Sequence, residues 1–129
     1  MKNNQKGFIA FTTMLVISAV ILFISVSVAL MGVSSSKSSL DYKKSEETRV
    51  VARGCAEEAL LRLRDDVNYS SGNLTVDDVT CDINVSGSGS NRTIVVEATM
   101  PSPYYFIKTI EVVVKRTGGS VNVLSWSEY

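Results

Sequence analysis

Residues 8–33 read FIAFTTMLVISAVILFISVSVALMGV, about 26 positions without one charged side chain, and Lys6-Gly7-Phe8 stands at their front. The stretch is oily on every side. Wound as a helix rising about 1.5 Å per residue, it is about 39 Å long. That covers the roughly 30 Å hydrocarbon core of a bilayer with some tilt. Its polar residues are small: Thr12, Thr13, Ser18, Ser25, Ser27 and Gly32. Serine and threonine can return their hydroxyls to a carbonyl one turn back, so hydrocarbon tolerates them. Small residues also let neighbouring helices approach closely.

The helical pattern continues to about Arg64, but its character changes. Ser34, Ser35, Ser36, Ser38 and Ser39 fit either a linker or a helix leaving lipid. Beyond them Thr48, Ala52, Cys55, Ala59 and Leu63 recur at spacings of three and four, and Val51 and Ala56 widen that stripe. Glu46, Glu47, Arg49, Arg53, Glu57, Arg62 and Arg64 mostly fall on other faces. The small side chains of Ala52, Ala56 and Ala59 call for a flat partner packed close, and a sheet suits. Asp65-Asp66 followed by Asn68-Tyr69-Ser70-Ser71-Gly72 reads as a firm stop.

The remainder reads as strands. Residues 74–76 are a weak candidate. Residues 80–85 alternate, with Cys81, Ile83 and Val85 on one face. Gly87-Ser88-Gly89-Ser90-Asn91 is a hairpin loop and 93–99 its return strand. Pro101 and Pro103 bracket the next connection, 106–116 is a long strand, Thr117-Gly118-Gly119 a turn, and 121–126 the last strand. One long helix followed by an antiparallel meander is an α+β order. The expected division is 1–7 as a leader, 8–33 as an apolar helix, 34–66 as its amphipathic continuation and 67–129 as the sheet region.

The chain has 129 residues with 13 basic and 13 acidic side chains. Setting aside the apolar segment leaves about 95 residues for one small soluble domain, near the lower limit for a self-sufficient core. No basic tract points to nucleic acid; Lys43-Lys44, Arg49 and Arg53 are interleaved with Asp41, Glu46 and Glu47, as on a solvated helix face. Histidine is absent, which removes the commonest general base and metal ligand. The two cysteines are Cys55, on the helix stripe, and Cys81, on an inward strand position. In an oxidising compartment they would tie helix to sheet; two reduced, buried thiols are the other reading.

Three readings of the front end compete. A cleavable secretory signal would use Ser27-Val28-Ala29 as its cleavage site, but the apolar run exceeds the usual 7–15 residues and nothing breaks the helix before Ser34. A permanent anchor is a second reading. Lys37, Lys43 and Lys44 beyond the span offset Lys2 and Lys6 before it, so charge barely orients it. The third comes from the boundary itself: Lys6-Gly7-Phe8 directly ahead of this helix resembles the cleavage site of type IV prepilins.

In that family a membrane peptidase cuts after the glycine and methylates the new terminal amine, here on Phe8. The basic leader 1–7 fits in length and charge; its removal takes Lys2 and Lys6 and leaves 11 basic against 13 acidic residues. A residue without Cβ also enters a narrow protease site easily. One departure is plain. Most such pilins carry a glutamate five residues into the mature chain, whereas here Thr12 stands there and the first carboxylate after the cut is Asp41. Members lacking the glutamate include minor, tip-located subunits. A proline common midway along the family's helix is also missing.

The resemblance implies a long helix whose latter half lies on a small antiparallel sheet. It implies assembly through the apolar helix, with Phe8, Phe11, Thr12, Leu15 and Val33 among its contact positions. The implied partners are further copies and other pilins, a prepilin peptidase and a pilus assembly platform. The implied location is the cytoplasmic membrane as a precursor with its C-terminal domain outside, then a surface filament serving adhesion or motility.

No constellation points to an enzyme, a cofactor or a metal. Glu57-Glu58 and Asp65-Asp66 are helix neighbours about 100° apart, so they do not converge as an acid/base couple would. Asp77, Asp78 and Asp82 match no calcium-loop spacing and read as turn acids. Gly87–Asn91 lacks the following helix and lysine of a phosphate loop. Asn68, Asn73, Asn84 and Asn91 each begin an N-x-S/T triplet, as chance allows in so polar a chain. Tyr104-Tyr105-Phe106 and Trp126 with Tyr129 read as core packing or subunit contact.

Overall fold

The computed structural model describes residues 4–129, with side chains described from residue 7 onward. Positions 1–3 of the expected leader lie outside the described residues. The described residues form one helix, α1 (Asn4–Asp65), and five strands: β1 (Ser71–Val76), β2 (Val79–Ser86), β3 (Asn91–Met100), β4 (Phe106–Thr117) and β5 (Ser120–Glu128). The serines at 34–39 are helical, so they do not form a linker. Two compact units divide after Leu40, and the second, Asp41–Tyr129, is the head.

In the head the strands pair in sequence order as an antiparallel meander. Residues 41–65 of α1 cover one face of this sheet, and the apolar stripe meets the alternating strand positions there. Ala52, Cys55, Ala56, Ala59 and Leu63 are buried with Val79, Cys81, Ile83, Ile94, Val96, Ala98, Ile110, Val112 and Val114. The alanines let helix and sheet approach closely, as their size requires. Thr48 is also buried; its hydroxyl donates to the Lys44 carbonyl at 2.9 Å and so is not stranded. Cys55 and Cys81 are joined in a disulfide across this layer, with Cα atoms 6.5 Å apart.

The helix ends where its last carbonyls find partners. The Arg116 guanidinium on β4 donates to the Leu63 and Arg64 carbonyls, both at 3.2 Å. A cation there also meets the negative end of the helix dipole, as do Arg62 and Arg64 in the last turn. Asn68 N–H donates to the Asp66 carboxylate at 2.9 Å and turns the chain toward β1.

Two segments differ from expectation. Ser71 and Gly72, read as part of the stop, already pair with Asn84 and Ile83 in β1. An edge strand is held by backbone pairing, which residue type does not advertise. Gly72 has a reason of its own: a Cβ there would collide with the Tyr69 hydroxyl. Asn91, read as loop, pairs with Lys115. The weak strand at 74–76 is the end of β1, and Asp77-Asp78 form its two-residue turn to β2. Asp77 takes a positive φ of 52°, which a short polar side chain tolerates.

The last strand holds a bulge. Val114 pairs with Val123 and Val113 with Ser125, so Leu124 is an extra residue. The bulge shifts the alternation by one position. Val121 and Val123 face the helix side before it, and Trp126 and Glu128 do so after it.

Candidate functional site

The candidate site is the apolar part of α1. From residue 7 to 40 every side chain is exposed except that of Thr12, which is partly covered. The large apolar side chains within 8–33 range from 50% exposed at Val20 to 77% at Phe23. Phe8, Phe11, Leu15 and Val33 are all among them. A contiguous apolar surface of this size is not stable in water, since each such side chain gains about 1.5–3 kcal/mol on full burial. The segment is long and apolar enough to cross a membrane.

Its hydroxyls are silenced internally. Thr12 Oγ1 lies 3.1 Å from the Phe8 carbonyl and 3.0 Å from that of Ile9, and Thr13 donates to Ala10 at 2.9 Å. Ser18, Ser25 and Ser27 donate to Met14, Ile21 and Phe23, each at 2.8 Å, and Ser36 to Gly32 at 3.0 Å. Each hydroxyl needs nothing from its surroundings, so the segment presents an apolar surface despite its composition. Gly7 and Phe8 are exposed near the front of α1, and a Cβ at Gly7 would meet nothing within 4 Å.

The head is bound to its own helix by a charged cluster that sequence reasoning missed. Glu128 on β5 accepts from Arg53 Nε at 2.7 Å and Nη2 at 3.1 Å, from Arg49 Nε at 3.1 Å, and from Trp126 Nε1 at 3.1 Å. The bond from Arg53, then that from Trp126, pulls the Glu128 carboxyl down to about 2, with Arg49 adding to the effect. Arg53 is shifted up in return by the same bond. The signal for this cluster lay in the last strand, where apolar residues at 121 and 123 resume at 124 and 126.

The outer face of the sheet is polar. Asp82 and Glu97 stand opposite each other on β2 and β3, and Asn73 donates to Asp82 at 2.5 Å. Among the described residues no group of three histidine, cysteine or acidic side chains is placed to hold a metal ion. Asp77 and Asp78 occupy the β1–β2 turn. Tyr104 and Phe106 pack against the core, whereas Tyr105 and Tyr129 are exposed.

These features define an α+β protein whose N-terminal helix is apolar enough to span a bilayer and whose head is closed by a disulfide. Neither family models, nor curated proteins, nor solved structures give a match to this chain.

Proposed function

We propose that the chain is a type IV pilin-like filament subunit. It is held in the membrane as a precursor, cut after Gly7, and assembled through its apolar helix. The observation that carries this reading is the exposed, internally hydrogen-bonded apolar segment continued by the helix of a small disulfide-closed head. Such a helix leaves hydrocarbon only if something equally apolar replaces the lipid. A bundle of identical helices is that replacement, and the small residues within 12–36 let the bundle pack closely. The Lys6-Gly7-Phe8 boundary supports cleavage at the start of this segment. Thr12 has its hydroxyl committed within its own helix, so the amine of Phe8 in a neighbouring copy finds no carboxylate there. That departure favours a minor subunit over the principal one.

Mass spectrometry of the protein recovered from cells tests the reading. An N-terminal methyl-Phe8 is expected. An intact Met1 would instead identify a membrane-anchored binding domain that does not polymerise, and a start at Leu30 a secreted protein. Imaging surface fibres in a deletion strain then separates the roles: lost fibres mark the principal subunit, and altered number or grip marks an accessory one.

A further inference from the structure

One end of the head carries exposed tyrosines. Lys44 on α1, the Asp77-Asp78 turn and the connection 101–105 between β3 and β4 meet there. Thr48 Oγ1 lies 3.9 Å from Met100 Sδ, and Met100 pairs with Phe106 across the connection. The Lys44 ammonium is held above its ordinary range, first by its hydrogen bond to Glu47 and also by Asp78 and Tyr104 nearby. Tyr105, in the connection, is 68% exposed, and Tyr42, two residues before Lys44, is 71% exposed. The opposite end, with the hairpin 87–90 and the turn 117–119, has one aromatic ring, Tyr69, and that ring packs against the core.

Tyr105 stands where a tyrosine is costly. Its φ is 43°, in the left-handed region that bulky residues rarely enter. Its N–H donates to the Pro101 carbonyl at 3.4 Å, but its ring gains little from the head in return. The end that carries these rings is also the end that leads into the apolar segment. Nine residues of α1 separate Val33 from Tyr42, about 13.5 Å of helix. The headgroups on one side of a bilayer fill roughly 5–7 Å of that, and a tyrosine side chain spans most of the remainder. Tilting of an apolar segment longer than the hydrocarbon brings the head closer still.

We propose that this end of the head is a lipid-contact surface: with the apolar segment in a bilayer, Tyr42 and Tyr105 enter the headgroup layer. Tyrosine suits that layer, because its ring is apolar and its hydroxyl stays wet. Lys43 and Lys44 are offset by Asp41, Asp77 and Asp78, so the contact is aromatic and needs no anionic lipid. It rests on the membrane-held stage of the proposed function. It orients the head on the bilayer and is given up when the subunit leaves.

The test uses the full-length chain in phosphatidylcholine vesicles that carry a headgroup-attached quencher in both leaflets. Ser102→Cys bears a fluorophore. Ser102 is exposed in the same connection as Tyr105, and the native cysteines are bonded to each other, with no free cysteine among the described residues. Ser88→Cys, in the far hairpin, is the reference. Quenching is expected to be several-fold stronger at 102 than at 88. Equal quenching at the two positions overturns the contact, and this comparison leaves both tyrosines in place.

Removing the rings supplies a second reading. Tyr42→Gln suits a helix and Tyr105→Asn tolerates the left-handed backbone, so the pair removes the aromatic groups and keeps the local conformations. The pair is expected to bring quenching at 102 down to the level at 88; an unchanged signal at 102 also overturns the contact. Flotation of vesicles bearing the unlabelled chain separates the two claims. Chain that floats but shows equal quenching defeats this contact and leaves the membrane-held subunit standing; chain that does not float defeats both.

Discussion

Cys55 and Cys81 matter because the head they join is small. Their 26-residue separation encloses a loop whose closure, in the chain-entropy model, is worth about 3.5 kcal/mol. Cys55→Ser with Cys81→Ser, or reduction, is therefore expected to destabilise the head by about 2–5 kcal/mol. Urea unfolding with and without reductant measures it. Gly54 gives the opposite expectation. Its exposed site has room for a methyl group, so Gly54→Ala should stabilise the helix by about 0.5–1 kcal/mol in the same assay.

The last strand is held at its far end by charge. Glu128 belongs to β5, and its guanidinium partners Arg49 and Arg53 belong to α1. Because its carboxyl falls from the ordinary 4.5 to about 2 in the fold, its contribution is fully present above about pH 4.5. It is lost as pH falls through about 2, when the folded state must also take up the proton. The wild-type head is thus expected to lose stability between about pH 4.5 and 2 more steeply than Glu128→Gln, by thermal unfolding across that range. Equal slopes would remove the carboxylate from this role. The bulge at Leu124 is what brings Glu128 to the helix side, since regular alternation would put Ser127 there instead.

The chain joins parts suited to different solvents. Among the described residues, all of the buried core lies in Asp41–Tyr129, and side chains 7–40 are exposed except the partly covered Thr12. A fragment starting at Asp41 is expected to be soluble without detergent and to unfold cooperatively, whereas the full chain should require detergent or lipid. Sedimentation of the two preparations decides it. An insoluble fragment would mean that the head depends on the apolar segment for its fold.

Much was legible beforehand because period and composition carry it. A run of 26 uncharged, apolar positions has few stable fates. Spacings of three and four at 48–63 set the buried face of the amphipathic helix, and alternation at Cys81, Ile83 and Val85 set that of β2. The bonded cysteines sit where those two patterns meet. Boundaries were less visible: Ser71, Gly72 and Asn91 pair through backbone groups, and their side chains do not signal it.

Local pattern therefore settled which segments coil, which extend and which faces are apolar, because those follow from side-chain periodicity along a single segment. Register lay beyond it. The bulge at Leu124, the meeting of Glu128 with Arg49 and Arg53, and the Arg116 cap on α1 each join residues more than fifty positions apart or depend on a one-residue shift between strands. Such contacts arise only when helix and sheet have packed, since no local preference records which distant partner will be opposite.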